Sequence, residues 1–383
     1  MRRPSTVFVR VSAQSYRNFT LSNSLQTVVF ILPSFAGGGA ERVMLKLANG
    51  LDKDRFAARI VVLEESGPLR SDVDAHVPVQ GLECPRVRSA LVPLRRVLKQ
   101  LSPEFVVTTM GYLNLSVLMA GVFGFPQTRF IVREANEPEA TLAAFRWPGL
   151  IRALYKILYP RAHAVVCPSQ AILGKLSGEF SIPADRMRLI RNPVDVARIR
   201  RLAEMPVAVN DGLTFVASGR LTEQKGFDRL LSMIAEMPAQ TCLRILGDGP
   251  LRSQLQSQAV DLKISSQIEF LGFQDNPWCY YAAADAFLLP SRWEGMSNAA
   301  LESLACGTPV ISTPEAGGIG EVAALTAKSA IQLVTVGEAF VAAMKSVTHR
   351  AEISPRPNLL PEAFSLTEVE NDFMDLLLNN AID

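Results

Sequence analysis

Two carboxylates eight positions apart, Glu294 and Glu302, bracket the stretch of this chain best equipped for chemistry, Pro290-Ser-Arg-Trp-Glu-Gly-Met-Ser-Asn-Ala-Ala-Leu-Glu302. The apolar run Asp285-Ala-Phe-Leu-Leu-Pro290 before it predicts a buried strand, and the helix formers from Asn298 to Ala305 predict a helix after it. Glu294 then falls on the loop at the carboxyl end of a strand. Gly295, Met296, Ser297 and Asn298 offer backbone N–H groups at a helix N-terminus, and Glu302 faces the same crevice about one turn in. Free N–H groups and the helix dipole bind phosphate. Carboxylates beside them accept hydrogen bonds from sugar hydroxyls. The constellation suits a nucleotide sugar.

A second loop supplies cations. In Ala217-Ser-Gly219-Arg220-Leu-Thr-Glu-Gln-Lys225-Gly226-Phe227, Arg220 and Lys225 can converge on a diphosphate, Arg as a fork and Lys as a point charge. A pair of solvated surface cations is the plain alternative. The glycines and the position after a strand favour the diphosphate. Three further loops are weaker alone, each readable as a simple turn. Ser34-Phe-Ala-Gly37-Gly38-Gly39-Ala-Glu41-Arg42 lets backbone approach an anion, but it is neither a dinucleotide fingerprint nor a Walker loop. Gly247-Asp248-Gly249-Pro250 follows another strand, and Leu271-Gly272-Phe273 could read a nucleobase edge with its backbone and Phe273.

The elements that must hold these loops alternate short β-branched runs with helical stretches. Strands are predicted at Val28–Pro33, Ala58–Leu63, Phe105–Thr109, Phe130–Arg133, Ala164–Pro168 and Met187–Arg191. After a seam beginning at Asn192-Pro-Val-Asp195, they resume at Leu213–Ser218, Leu243–Leu246, Ile268–Leu271, Ala286–Leu289, Val310–Thr313 and Ala330–Val334. Such alternation predicts an α/β protein with parallel sheets covered by helices, and open parallel sheets bind ligands beyond the carboxyl ends of their strands.

In order, Gly38-Gly39, Arg220 with Lys225-Gly226, Gly247-Asp248-Gly249, and Glu294 with Glu302 resemble family 4 of the retaining glycosyltransferases, which have the GT-B fold of two Rossmann-like doubly wound domains facing a central cleft. The resemblance runs over residues 27–350, with the second half the specific part. It implies that Arg220 and Lys225 bind the donor diphosphate, Glu302 the ribose hydroxyls and Glu294 the transferred sugar. Backbone of the loop Gly295–Asn298 would supply donors, and Gly38 and Gly39 would approach the phosphate from the acceptor domain. Gly219, Gly247, Gly272 and Phe273 complete the implied donor site. Many relatives carry a histidine in a late first-domain loop. Here that loop reads Arg133-Glu134-Ala-Asn136, so Arg133, Glu134 and Asn136 are the acceptor-side candidates. The loop resembles those of relatives acting on polysaccharide or lipid-linked oligosaccharide acceptors.

The implied division is a disordered extension at 1–26, an acceptor domain at 27–195, a nucleotide-sugar domain at 196–363, and a C-terminal helix at 364–383 packing back on the first domain. At 383 residues and 48% hydrophobic content two cores are expected. Five cysteines, odd in number and without a Cys-x-x-Cys, argue for reduced thiols in a cytoplasm and against a zinc site or disulfide framework. Residues 1–199 carry 26 Lys and Arg against 15 Asp and Glu, whereas residues 200–383 carry 13 against 22. A basic half implies an anionic partner. Without an aromatic-interleaved basic patch, nucleic acid is not expected. Arg86–Lys99 and Phe145–Arg161 mix cations with Leu, Val, Trp and Tyr, which suits peripheral docking on the inner face of the cell membrane, with two ordinary amphipathic helices packed on the sheet as the plain alternative. Phe105–Thr128 carries no charge but reads as a buried strand and helix.

The expected reaction is metal-independent and retaining, with no cofactor beyond the nucleotide-sugar donor, which is expected to be a UDP-sugar. No Asp-x-Asp stands at a strand end, and the departing diphosphate can itself take the acceptor proton. A sugar-nucleotide epimerase of related fold and a non-catalytic nucleotide-sugar-binding protein are the alternatives.

Overall fold

The computed structural model describes residues 25–143, 145–208, 210–350 and 355–379. Residues 1–24 of the predicted extension lie outside the described residues, and Gln26 already belongs to the first strand.

Thirteen strands among the described residues form two parallel sheets. The first contains β1 (Gln26–Leu32), β2 (Phe56–Val62), β3 (Val79–Gly81), β4 (Phe105–Thr109), β5 (Arg129–Arg133), β6 (Ala164–Cys167) and β7 (Met187–Leu189) in the order β3-β2-β1-β4-β5-β6-β7. The second contains β8 (Thr214–Ser218), β9 (Cys242–Leu246), β10 (Ile268–Gly272), β11 (Ala286–Leu289), β12 (Val310–Ser312) and β13 (Ile331–Leu333) in the order β10-β9-β8-β11-β12-β13. Each order reverses direction once, at β1/β4 and at β8/β11. Loops leaving a sheet at such a reversal splay apart and open a crevice. The two glycine- and cation-bearing loops, after β1 and after β8, both begin there.

Helices cover both faces, so the inner strands are largely apolar, and β4, β6 and β11 are buried at every position. Alternation still sorts the core. Val29 and Ile31 pack with the helices Leu91–Leu101, Gly111–Gly121 and Pro148–Leu158 on one face, Val28, Phe30 and Leu32 with Gly39–Asn49 on the other. The helix Gly111–Gly121 is buried at every position but Tyr112 and Met119, which is why the charge-free stretch beginning at Phe105 is so apolar. Among the described residues no helix is long and apolar enough to cross a membrane.

The C-terminal helix Leu366–Asn379 places Val369, Phe373, Leu376 and Leu377 in the core of the first domain, with the Phe373 ring 6.1 Å from that of Phe30. The chain thus crosses between domains twice, and the crossings pair: Val194 N–H donates to Phe364 O at 2.9 Å and Leu366 N–H to Val194 O at 3.0 Å. The three-residue edge strand β3 was not expected, being too short to show a periodicity.

Candidate functional site

The second-domain wall of the cleft is built by the loops after β8 and β11. Gly226 has φ +65°, a left-handed conformation favouring glycine, and any Cβ there would strike Pro290 O at 2.2 Å. This lets the Lys225 loop lie directly against the end of β11. A Cβ on Gly219 would fall 3.0 Å from Lys225 Cε, so the lysine stem lies flat on that glycine. Lys225 Nζ donates to Glu294 Oε1, which also accepts from Ser291 Oγ at 2.8 Å. Lys225 and Glu294, 69 positions apart, are therefore one buried-edge ion pair. Arg220, by contrast, is exposed and forms no salt bridge among the described residues.

Ser297 caps the helix Asn298–Ala305, its hydroxyl accepting from Ala300 N–H. Among the described residues the amides of Gly295, Met296, Ser297 and Asn298 have no hydrogen-bond acceptor, which leaves them free to bind an anion at the helix N-terminus. Glu302 is 8% exposed, and its Oε2 accepts from Trp278 Nε1 at 3.0 Å. Trp278 was not singled out from the sequence; a buried indole needing a partner was the available signal. Gly247 braces the Arg220 loop, since a Cβ there would meet Gly219 O at 2.1 Å and Leu221 N–H donates to Asp248 O at 3.0 Å. Phe273, beside Gly272, is 47% exposed and stands across the cleft from Gly37, whose Cβ position is 3.5 Å from Phe273 Cε2.

The first-domain wall comes close. Asn298 Nδ2 donates to Gly39 O at 2.9 Å, and Asn298 Oδ1 accepts from Asn192 Nδ2 at 2.6 Å. Asn192 Oδ1 in turn accepts from Arg133. A Cβ on Gly295 would lie 2.3 Å from Ala135 O, and Gln224 Nε2 reaches Asn136 Oδ1 at 3.5 Å. Of the three acceptor-side candidates, Asn136 alone lines the cleft.

Arg133 and Glu134 require correction. They are 2% and 0% exposed. Arg133 is committed to Asn192, and burial lowers its pKa to about 10. Glu134 Oε2 accepts from Tyr159 and from Tyr155 Oη at 3.1 Å inside the first-domain core, where burial raises its pKa to about 7. The reason is register: Arg133 ends β5, and Glu134 N–H still donates to Val166 O at 2.9 Å. Both residues thus remain part of the sheet layer and precede the loop that turns to the cleft.

Glu41, named in the sequence only as part of the glycine loop, is 5% exposed. Its carboxyl curls over Gly38, whose Cβ position is 2.2 Å from Glu41 Oε2, and burial raises its pKa. Among the described residues no group of three or more His, Cys, Asp or Glu side chains could hold a metal ion.

With that geometry in place, the chain can be set beside known proteins. Residues 37–198 match Glycosyltransferase Family 4 and residues 203–354 match Glycosyl transferases group 1. The lipopolysaccharide core biosynthesis glycosyltransferase LpsE of Rhizobium meliloti is 39% identical over 295 residues, 73% of this chain and 77% of that protein. The N-acetylgalactosamine-N,N'-diacetylbacillosaminyl-diphospho-undecaprenol 4-alpha-N-acetylgalactosaminyltransferase of Campylobacter jejuni is 27% identical over 314 residues, 78% and 83% of the two chains. The fold is that of Anabaena HepE crystallised with UDP, at TM-score 0.70 and 19% identity over 92% of this chain and 100% of that one. Transferase names of the sequence relatives do not favour an epimerase or a non-catalytic binding protein. The chain belongs to glycosyltransferase family 4, in the GT-B fold.

Proposed function

We propose that this enzyme moves a sugar from a uridine diphosphate sugar, with retention and without a divalent cation, to a glycan or a polyprenyl-diphosphate-linked saccharide in surface-polysaccharide or glycoconjugate synthesis. The observation that carries the reading is the convergence of the Lys225–Glu294–Ser291 cluster with the unpaired amides of Gly295–Asn298 at the crevice between β8 and β11. Arg220, Lys225 and the helix N-terminus stabilise the departing diphosphate, the charge that a metal supplies elsewhere. Glu294 holds the transferred sugar, and Glu302, steadied by Trp278, the ribose hydroxyls. The leaving phosphate oxygen accepts the proton of the attacking hydroxyl. The acceptor class follows the names of the relatives, of lipopolysaccharide core and undecaprenol-linked saccharide synthesis.

For such an acceptor the first domain docks peripherally on the anionic cytoplasmic face of the membrane. Val92, Trp147, Leu150 and Ile157 are 50–67% exposed on the outer surface of the first domain, interleaved with Arg95, Arg96, Arg146 and Lys156. Each basic residue at an anionic surface contributes about 1 kcal/mol. Salt-sensitive cosedimentation with anionic but not neutral vesicles is expected, and equal, negligible binding to both removes the docking element.

The deciding experiment supplies UDP-, GDP- and ADP-sugars with a polyprenyl-diphosphate saccharide in EDTA. Nucleoside diphosphate should appear only with acceptor present, and NMR should show the donor's anomeric configuration preserved. Inverted product, or activity lost in EDTA and restored by magnesium, overturns the corresponding part.

A further inference from the structure

One carboxyl in the cleft has no place in the scheme above. Glu41 lies in the first turn of the eleven-residue helix Gly39–Asn49, after the glycine loop at the β1/β4 reversal. It is 5% exposed, and its Oε2 is a buried oxygen with no hydrogen-bond partner. Its carboxyl rests on Gly38, the backbone expected to meet the donor phosphate.

Two other elements bring titratable or charged groups to bear on it. Arg220 faces it from the loop after β8, across the cleft, and Tyr112 faces it from the helix Gly111–Gly121. Neither is a close partner: Glu41 forms no salt bridge among the described residues, and Tyr112 Oη donates to Met110 Sδ at 3.1 Å. The backbone N–H of Glu41 itself hydrogen-bonds the carboxyl, but Oε2 stays buried and unpaired; an ionised carboxylate so placed is costly, and here it would stand between the phosphate-binding backbone and the arginine awaiting the diphosphate.

We propose that Glu41 is a proton-linked ligand of the donor diphosphate, meeting the phosphate as a neutral carboxyl that donates its O–H to a phosphate oxygen. The inference rests on the donor reading above. The one bond formed is the Glu41 O–H, its proton coming from the solvent or buffer acid as the donor binds, and no bond between heavy atoms changes. Burial already lifts the Glu41 pKa in the free protein, opposed by the hydrogen bond from its own backbone N–H and then by the Arg220 charge. A bound diphosphate occupies that arginine and adds like charge, and both effects raise the pKa further. The sign follows: the bound complex holds the proton more tightly than the free protein, so donor affinity rises as pH falls from the bound-state pKa to the free-state pKa and levels off outside that window. The device also disfavours donor binding while the carboxylate is ionised.

The test is calorimetric titration with UDP-glucose, whose pyrophosphate diester does not titrate near neutrality, at a series of pH values in buffers of differing ionisation enthalpy. Wild-type protein should take up close to one proton within the window, with affinity changing by up to about tenfold per pH unit. Glu41→Gln, which keeps a donor and loses the titration, should bind UDP-glucose with flat pH dependence and no linked proton. A pH-independent wild-type affinity with no buffer-dependent enthalpy overturns the proposal without any variant, and so does a Glu41→Gln protein that retains the uptake. Failure of UDP-, GDP- and ADP-glucose alike to bind wild-type protein overturns the donor reading and this inference with it.

Discussion

Two glutamates at the ends of parallel strands have opposite fates in this molecule. Glu294 follows β11 by five residues, and its carboxylate meets Lys225 and Ser291 at the cleft. Glu134 follows β5 by one residue, and its carboxyl is shut inside the first domain with Tyr155 and Tyr159, its Oε1 without a partner. In local sequence both read as a polar group on a strand-end loop. The difference is how soon the chain leaves the sheet: Glu134 still makes a ladder hydrogen bond to Val166, whereas Pro290 and Ser291 carry β11 out before Glu294 is reached. Position after a strand points to a ligand crevice only once the backbone has left the sheet layer.

The comparison can be broken most forcefully at the two glutamates themselves. Glu294→Ala should lower turnover by about 100-fold, roughly 3 kcal/mol of lost charge-assisted contact, with the smaller loss of stability of the two. Glu134→Ala should do the reverse, costing about 3 kcal/mol of stability through a cavity and two unpaired tyrosine hydroxyls with UDP affinity retained. Denaturant melts and steady-state rates on both variants check this, and any exchange of the two signatures defeats the assignment.

Protonation gives a finer cut. The Glu134 pKa is raised from 4.5 to about 7, so the folded chain binds this proton more tightly than the unfolded one. Its contribution is a penalty that is absent below about 4.5, grows as pH rises, and is complete above about 7. Glu134→Gln should remove that pH dependence and gain up to about 3 kcal/mol at pH 8, read from urea melts at several pH values.

On the cleft side, Arg220→Ala should weaken UDP binding by about 1.5–3 kcal/mol in calorimetry. Smaller effects test the supports. Trp278→Phe removes the donor that steadies Glu302 and should cost about 1 kcal/mol of UDP affinity. Asn298→Ala breaks the link from Gly39 to Asn192 and should also cost about 1 kcal/mol, measured as a raised KM for donor. An unchanged KM would mean that the two walls are held together without it.

The second domain was the more legible half. Its motif residues are short-range: Gly226 permits the turn, Ser297 caps the helix, and the apolar runs are strands because they are buried on both faces. The first domain's acceptor loop was misread because burial of Arg133 and Glu134 depends on Asn192 and on two tyrosines more than 20 positions away. Glu41 was passed over for a similar reason, since its counterpart Arg220 lies in the other domain.

By itself the sequence determined the alternation of elements, the parallel sheets, the strand-end loops and the chemistry available on them, because periodicity, glycine turns and helix caps act over a few residues. Only the tertiary structure decided which charges reach the cleft. The Lys225–Glu294 pair, the Trp278–Glu302 bond, the Asn192–Asn298–Gly39 link and the burial of Glu134 all join residues distant in the chain. Desolvation and hydrogen-bond geometry, which set what a charged group can do, are properties of the packed surroundings.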